Sequence, residues 1–401
     1  MNTDIDHKPL YDVVVIGTGI AGCSVAYALQ QKGQDVLLVD RSAAPASGGS
    51  GAAGAFVSPK IGKGSPLQSL TNEAFEYAKE FYLEHFPEQF TQSGIVRMPK
   101  DAEDAQKFKL YEEFNISKYE YLNAEQLASL GIREKHDSFL FDEAGVCDAQ
   151  GMCQAIWERV AFRQFEVVAL RQAQGPSIRQ AQEPFAQQTE EPTWVLTSSA
   201  VAESVEARHI VLATGYQNDL LDIRYMGVRG TWGSRGDYYS TLELEKSMHK
   251  KISISNNING VIKLGATHNK AKDPCVVCDG RPLASLEAQA KEMIDTGDFV
   301  RKETFCGMRA GSKDYFPLVG RVVDSPWMLD TYPKILKGAK PTLDHIDNLF
   351  ICNGLGGRGF VFAPLMAKWL SELIVEGREM DSRVDPDRLF LKWCRRSSLG
   401  D

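Results

Sequence analysis

Three glycines, one acid and one arginine carry the most specific chemistry in the chain. Gly17, Gly19 and Gly22 form G-x-G-x-x-G, and Asp40 closes the next strand-like run. In that spacing the first glycine permits a tight turn, the second lets the backbone approach a pyrophosphate, and the third lets a helix pack closely on a strand. A helix opening there presents its amides and dipole to the anion. An acid placed like Asp40 accepts hydrogen bonds from a ribose. Arg309 lies among small residues in FCGMRAGSKDYFPLVG, residues 305–320. A guanidinium in such surroundings needs an anionic partner, and a carboxylate held by two N–H groups is the best one. A structural ion pair to Asp314 or another acid is the alternative.

Patterning supplies the elements these groups need. Tyr11–Ile16 (YDVVVI) is a β-branched run suited to a strand buried on both faces, and it enters the glycine triad directly. Ser24–Lys32 reads as a helix with Val25, Ala28 and Leu29 on one face and Gly33 as its stop. Val36–Val39 is a second buried strand ending at Asp40. Strand, helix and parallel strand make a βαβ unit with a right-handed crossover. His209–Ala213, closed by Thr214-Gly215, and Leu349–Cys352 read as further strands of the same sheet. The latter runs into Gly354–Gly359 and a helix from about Phe362 to Val375. Gln68–His85 is an amphipathic helix whose aromatic stripe is read as core packing.

The triad alone does not separate NAD from FAD. Ser47–Ala55 (SGGSGAAGA) is a second loop of small residues, suited to lie close against an extended cofactor. Gly354-Leu355-Gly356-Gly357-Arg358-Gly359 is a third, between a strand and a helix. A helix N-terminus there can stabilise negative charge on a reduced flavin ring. Three loops along one long ligand favour FAD, with a plain strand–helix turn as the alternative for the last. The expected class is α/β, a discontinuous Rossmann-like FAD-binding domain with an interleaved α+β substrate domain built on a mostly antiparallel sheet. Residues 9–80, 144–221 and 306–380 are assigned to the first domain, 81–143 and 222–305 to the second, and 381–401 to a C-terminal tail.

Composition bounds the rest. The chain has 401 residues, 45 Lys+Arg against 53 Asp+Glu and a net charge of −8, a balance that argues against a strong nucleic-acid binder. With 43% apolar and 24% charged residues, collagen-like, coiled-coil and wholly disordered classes are excluded. No run approaches the ~20 apolar residues that span a bilayer, and MNTDIDHKPL lacks the apolar stretch of a signal peptide. A soluble cytoplasmic protein is expected, with its eight cysteines reduced. The Cys275–Cys278 pair has no partner pair at zinc spacing and reads as structural, so no metal is expected. RQAQGP is nearly repeated as RQAQEP, and residues 169–193 read as a polar surface insertion between two strands. No G-x-S-x-G elbow or Walker loop is present, which disfavours acyl and phosphoryl transfer. Lys60 and Lys63 read as surface lysines, and His268 as an ordinary strand-end histidine.

Several blocks together resemble the D-amino-acid-oxidase/glycine-oxidase superfamily of FAD-dependent amine oxidoreductases. They are VVVIGTGIAG, DRSAAPASGGSGAAGA, NEAFEYAKEFY, LGATH, GMRAGSKDYFPLVG, DNLFICNGLGGRGFVFAPL and DPDRLFLKW, spread over residues 10 to about 395. Within the superfamily they look most like the oxidoreductase domain of bifunctional enzymes of tRNA 5-methylaminomethyl-2-thiouridine biosynthesis. The resemblance implies that Gly17, Gly19, Ile20, Ala21, Gly22 and Asp40 bind the ADP part of FAD. It implies that Arg41, Ser47, Ser50, Gly54 and Ala55 lie near the pyrophosphate and flavin, with Gly215 also at the cofactor. Gly354, Gly356, Gly357, Arg358, Gly359 and Phe360 match the loop over the flavin's pyrimidine edge. Arg309 matches the arginine that grips the substrate carboxylate, and Arg358 falls one position from a second such arginine.

The implied reaction converts 5-carboxymethylaminomethyl(2-thio)uridine of tRNA, an N-substituted glycine, to the aminomethyl form and glyoxylate. Flavin accepts a hydride from the glycyl methylene, and water hydrolyses the imine. Those bifunctional enzymes usually carry an N-terminal methyltransferase, whereas this chain starts at the flavin strand. The resemblance therefore implies a stand-alone oxidoreductase, with tRNA as substrate and a separate methyltransferase acting on the product. Arg224, Arg229 and Arg235, and Arg388, Lys392, Arg395 and Arg396, are the basic sets available to RNA; solvated faces are the plainer reading of both. Glycine, sarcosine or D-amino acid oxidation is the alternative function, and a flavin-containing RNA-binding protein without turnover a further one.

Overall fold

The run entering the glycine triad forms a strand whose valines divide between two cores. Val13 and Val15 pack into one apolar cluster, while Val14 and Ile16 pack into another. A strand buried on both faces needs apolar residues at every position, which is what this run supplies. The computed structural model describes residues 9–173, 192–199, 203–217, 219–270 and 283–397. Most of the polar duplication, and Cys275 and Cys278, lie outside these residues.

In chain order, the first elements that bear on the site are β1 (Leu10–Ile16), α1 (Ile20–Gln31), β2 (Val36–Asp40), α2 (Pro66–His85) and β3 (Ile95–Arg97). They are followed by β4 (Ser204–Leu212), β5 (Arg229–Tyr239), β6 (Ser247–His249), β7 (Val300–Gly311), β8 (His345–Asn353) and α3 (Gly359–Glu376). Among the described residues, β1, β2, β4 and β8 lie in one eight-stranded sheet. β1 pairs in parallel with β2 and β4, and β4 with β8, so the strands carrying the glycine loops share a direction. Both α1 and α3 leave such strands through those loops. This is the Rossmann-like half.

A second eight-stranded sheet contains β3, β5, β6 and β7. β5 and β7 pair antiparallel from Arg229↔Gly311 to Tyr239↔Val300. The β3–β6 pair is the parallel exception, with Ser247 opposite Ile95 and His249 opposite Arg97. Arg309 therefore stands on the second sheet and reaches toward loops of the first. The strands Val167–Gln172 and Trp194–Ser198, which flank the polar duplication, pair antiparallel at the edge of the first sheet. The C-terminal segment forms a helix, Asp387–Ser397, with Phe390 and Cys394 fully buried.

Cys23, Cys147, Cys153, Cys352 and Cys394 are free and buried, as expected for reduced thiols. Cys306 is disulfide-bonded, so that expectation fails there. Among the described residues, no helix is long and apolar enough to cross a membrane. Nor do any three His, Cys, Asp or Glu residues converge to hold a metal ion.

α2 and α3 are joined by a hydrogen bond with a sequence cause. Pro364 lies inside α3 and has no N–H, so it cannot bond the carbonyl of Phe360 one turn earlier. The fully buried Tyr82 hydroxyl, from α2, donates to that carbonyl at 2.8 Å instead. Tyr82→Phe should therefore strand a buried acceptor and lower stability by about 1–3 kcal/mol. Urea unfolding would check this, and a midpoint equal to wild type would show that the carbonyl has another donor.

Candidate active site

The strand–helix junction is built from backbone contact. Gly17 has φ +114°, and a Cβ there would overlap the Ala213 carbonyl; one on Gly22 would overlap the carbonyl of Gly17. Those two glycines let α1 start directly against β1 and β4. Gly19, the residue preceding α1, offers no side-chain cap. The Ser50 hydroxyl accepts from Ile20 N at 2.9 Å and fills that role. Asp40 accepts from Thr18 N at 2.8 Å, Thr18 Oγ1 at 2.9 Å and Ser42 N at 2.8 Å, so its carboxylate also braces the glycine loop.

A cavity of about 900 Å³ starts at this junction. Its wall includes Gly17, Gly19, Ile20, Ala21, Asp40 and Arg41 at the nucleotide end, with Gly215 beside them. Ser47, Ser50, Gly54 and Ala55 follow, then Gly354, Gly356, Gly357, Arg358, Gly359 and Phe360, and Arg309. Of the residues nominated from sequence, Gly22 alone is not in the wall, lying behind it at the helix–strand contact. A cavity lined by a glycine cradle, the first turn of α1 and a third glycine loop fits the adenosine, pyrophosphate and ring of FAD.

The loop of small residues between Ser47 and Ala55 has a second duty. A Cβ on Gly49 would run into the backbone carbonyl of Met308, and one on Gly307 would come within 3.0 Å of Gly49 Cα. Small residues thus let this loop lie against β7 just before Arg309. Arg235 on β5 holds it there. Its Nε donates to Asp237 Oδ1 at 2.8 Å, its guanidinium stacks 3.9 Å from the Phe305 ring centre, and its Nη1 donates to the Ala53 carbonyl. Both charges are buried, at 3% and 7% exposure.

Arg309 lies across Gly233, where a Cβ would overlap its guanidinium, and Gly357 in the third glycine loop sits beside its Cδ. Its Nη2 donates to the Thr267 carbonyl at 3.2 Å, while Nη1 is buried without a partner. Burial lowers its pKa, since nothing nearby compensates the charge. Among the described residues Arg309 forms no internal ion pair, and Asp314 is taken by Arg388 through contacts of 2.9 and 3.1 Å. Arg309 has the donors for a carboxylate and, among the described residues, no carboxylate of its own.

The cavity wall also holds residues the sequence reading left aside. Lys60 is half-buried there, unlike the exposed Lys63, and His268 lines the wall near Arg309. Arg97, His249, Phe165 and Glu166 were not nominated at all, and all four line the cavity. Of the basic residues proposed for RNA, Arg224 pairs with Asp222, Arg235 with Asp237 and Arg388 with Asp314.

The family of FAD dependent oxidoreductases matches residues 12–373, nearly the whole described chain. A tRNA 5-methylaminomethyl-2-thiouridine biosynthesis bifunctional protein, MnmC of Pseudoalteromonas atlantica, is 26% identical over 97% of this chain and 60% of its own length. The chain spans about three fifths of the length of the curated relatives it matches. Among solved structures, glycine oxidase from Geobacillus kaustophilus superposes with a TM-score of 0.73 at 17% identity, covering 95% of this chain and 98% of that one. Glycine oxidase from Bacillus cereus gives 0.71 at 18% identity, covering 92% and 96%. The chain belongs to the FAD-dependent oxidoreductase family, and FAD is its cofactor.

Removing one member of a buried pair leaves the other uncompensated. Arg235→Gln should cost about 3–5 kcal/mol of stability and lower the FAD content of purified protein, because the Ser47–Ala55 loop loses its brace. Denaturant unfolding and the flavin-to-protein absorbance ratio would show both effects. Wild-type values for both would remove Arg235 from this role.

Proposed function

We propose that this oxidoreductase oxidises the glycyl methylene of an N-substituted glycine. The substrate in this reading is 5-carboxymethylaminomethyl(2-thio)uridine at the tRNA wobble position, converted to the 5-aminomethyl form with release of glyoxylate. The observation that carries the reading is Arg309, a half-buried arginine in the wall of the cofactor cavity whose Nη1 is buried without a partner. A charge in that state favours an anionic ligand, and two parallel N–H donors suit a carboxylate. Bound FAD supplies the two-electron acceptor for the C–H hydride. Arg309 would hold the carboxylate so that the adjacent methylene faces the ring, and positioning of this kind lowers the barrier without a dedicated base. The resulting C=N bond takes up water and breaks to the primary amine and glyoxylate, which balances the atoms and the electron pair.

The relatives named for tRNA 5-methylaminomethyl-2-thiouridine biosynthesis support tRNA as the substrate class. In this reading a separate methyltransferase consumes the aminomethyl product, and the protein works in the cytoplasm. The pairing of Arg224, Arg235 and Arg388 with acids favours a second reading, oxidation of free glycine derivatives, because it removes basic groups from an RNA platform.

Nucleoside mass spectrometry decides between them. Incubation of the holoprotein with tRNA rich in 5-carboxymethylaminomethyluridine should deplete that nucleoside and yield an equal amount of the aminomethyl form. No change, with flavin bound, would favour the free amines. Arg309→Ala should retain FAD yet lose about 2–4 kcal/mol of transition-state stabilisation, roughly thirty- to a thousand-fold in kcat/KM. Near wild-type flavin reduction by substrate would remove Arg309 from the site.

A further inference from the structure

We propose that the cavity carries a second oxyanion subsite, formed by Lys60, Arg97 and Arg358, for an anionic group that the substrate bears apart from the carboxylate at Arg309. The proposal deepens the reading above and rests on it for the role of Arg309.

Three elements bring these residues together. Arg97 ends β3, and its register partner on the parallel neighbour β6 is His249. Paired positions of adjacent strands project from the same face of a sheet, and both side chains line the cavity. Arg358 comes from the third glycine loop, and its Nη1 donates to the Ser58 carbonyl at 3.2 Å, two residues before Lys60. Lys60 is fixed through its backbone N–H, which donates to Asn72 Oδ1 at 2.7 Å. Among the described residues, neither Lys60, Arg97 nor Arg358 forms an ion pair.

Among the described residues the cluster is therefore a concentration of positive charge without an ion-pair partner; the carboxylate of Asp104 favours the Arg97 cation, but less than burial and Arg358 oppose it. Burial and the neighbouring Arg358 push the Arg97 pKa down to about 9. Burial, Arg358 and Arg97 lower that of Lys60. Burial pushes Arg358 down to about 10. Guanidinium groups shifted this far are still cations at neutral pH. His249, driven well below its ordinary value by burial and then by Arg97, is neutral and shares a 2.7 Å hydrogen bond with Ser253. Like charges assembled without a counter-ion in a cleft are the signature of an anion-binding site.

Of the three, the cofactor accounts for Arg358 alone, through the loop expected over the flavin's pyrimidine edge. Its pyrophosphate belongs at Gly17, Gly19 and the start of α1 on the first sheet, whereas Arg97 and His249 come from the sheet that bears Arg309. His249, His268 and Arg309 line the same cavity, so the two cationic groups open onto one space. A substrate reaching both would carry a carboxylate at one end and a second oxyanion further along. That oxyanion is a phosphodiester if the substrate is a polynucleotide, or a second carboxylate if it is a small amino diacid.

The first test uses the FAD-loaded protein and needs no turnover. Acetate and inorganic phosphate are titrated separately and together, with flavin absorption as the readout. The expected result is simultaneous binding. Arg97→Gln and Lys60→Gln should each weaken phosphate about ten-fold, with acetate changed less than two-fold and FAD content unaltered. Arg97→Lys should restore phosphate, and Arg309→Ala should weaken acetate alone. Competition of the two anions for one site, or phosphate affinity indifferent to Arg97→Gln, overturns the proposal. Two substrate pairs then identify the source of the second oxyanion. Iminodiacetate is compared with sarcosine, and 5-carboxymethylaminomethyluridine 3′-phosphate with its nucleoside. A kcat/KM advantage for the anionic member of either pair, lost in Arg97→Gln, supports the subsite and names its ligand. Anion binding persists if the proposed reaction fails, so the two failures are distinguishable.

Discussion

A guanidinium nitrogen buried without a hydrogen-bond partner is unfavourable, and much of the architecture holds Nη1 of Arg309 in that condition. Gly233 removes the side chain that would displace it, and Thr267 offers a carbonyl in place of an anion. Arg388 occupies Asp314, which would otherwise be the neutralising partner closest in sequence. The Ser47–Ala55 loop lies against the strand just before Arg309 and is fixed by Arg235, whose own charge is balanced by Asp237. The contrast between these two arginines is informative. Arg235 is internally compensated and acts as a brace, whereas Arg309 is left with bonding capacity that an outside molecule can satisfy.

The nucleotide half was legible because its signals are local. A β-branched run, a glycine triad and a terminal acid lie within one βαβ unit, and each glycine has a steric reason visible in the contacts of Gly17 and Gly22. Arg309 was legible for a related reason, as a charge in a run of small residues. Arg97 and His249 gave no comparable signal. Each ends a short strand, and they are brought together only by the register of a parallel pair between segments far apart in sequence. Lys60 was read as a surface residue because nothing in its neighbourhood encodes the wall that Arg358 forms around it. The basic residues near the C-terminus show the converse error. Arg388 looks free in sequence and is bound to Asp314 in space.

Membership in the family fixes the cofactor and the general chemistry, while in the proposed reading substrate choice resides in groups supplied by the second sheet. The fold keeps these responsibilities apart. The first sheet presents backbone and glycines to a ligand shared by many enzymes, and the second presents charged side chains on strand ends. Side chains there can change without disturbing the contact between β1 and α1, which tolerates almost no added atom.

The proline inside α3 has a consequence for how change can accumulate in this chain. Because Pro364 withholds a donor from the Phe360 carbonyl, the hydroxyl of Tyr82 is needed only while that proline remains. A residue with an N–H at position 364 would first make the hydroxyl redundant, after which a phenylalanine at 82 would be tolerated. The opposite order passes through an orphaned acceptor. Two positions in separate helices, neither touching the reacting atoms, thus share a preferred direction of substitution, and the third glycine loop inherits that history through Phe360.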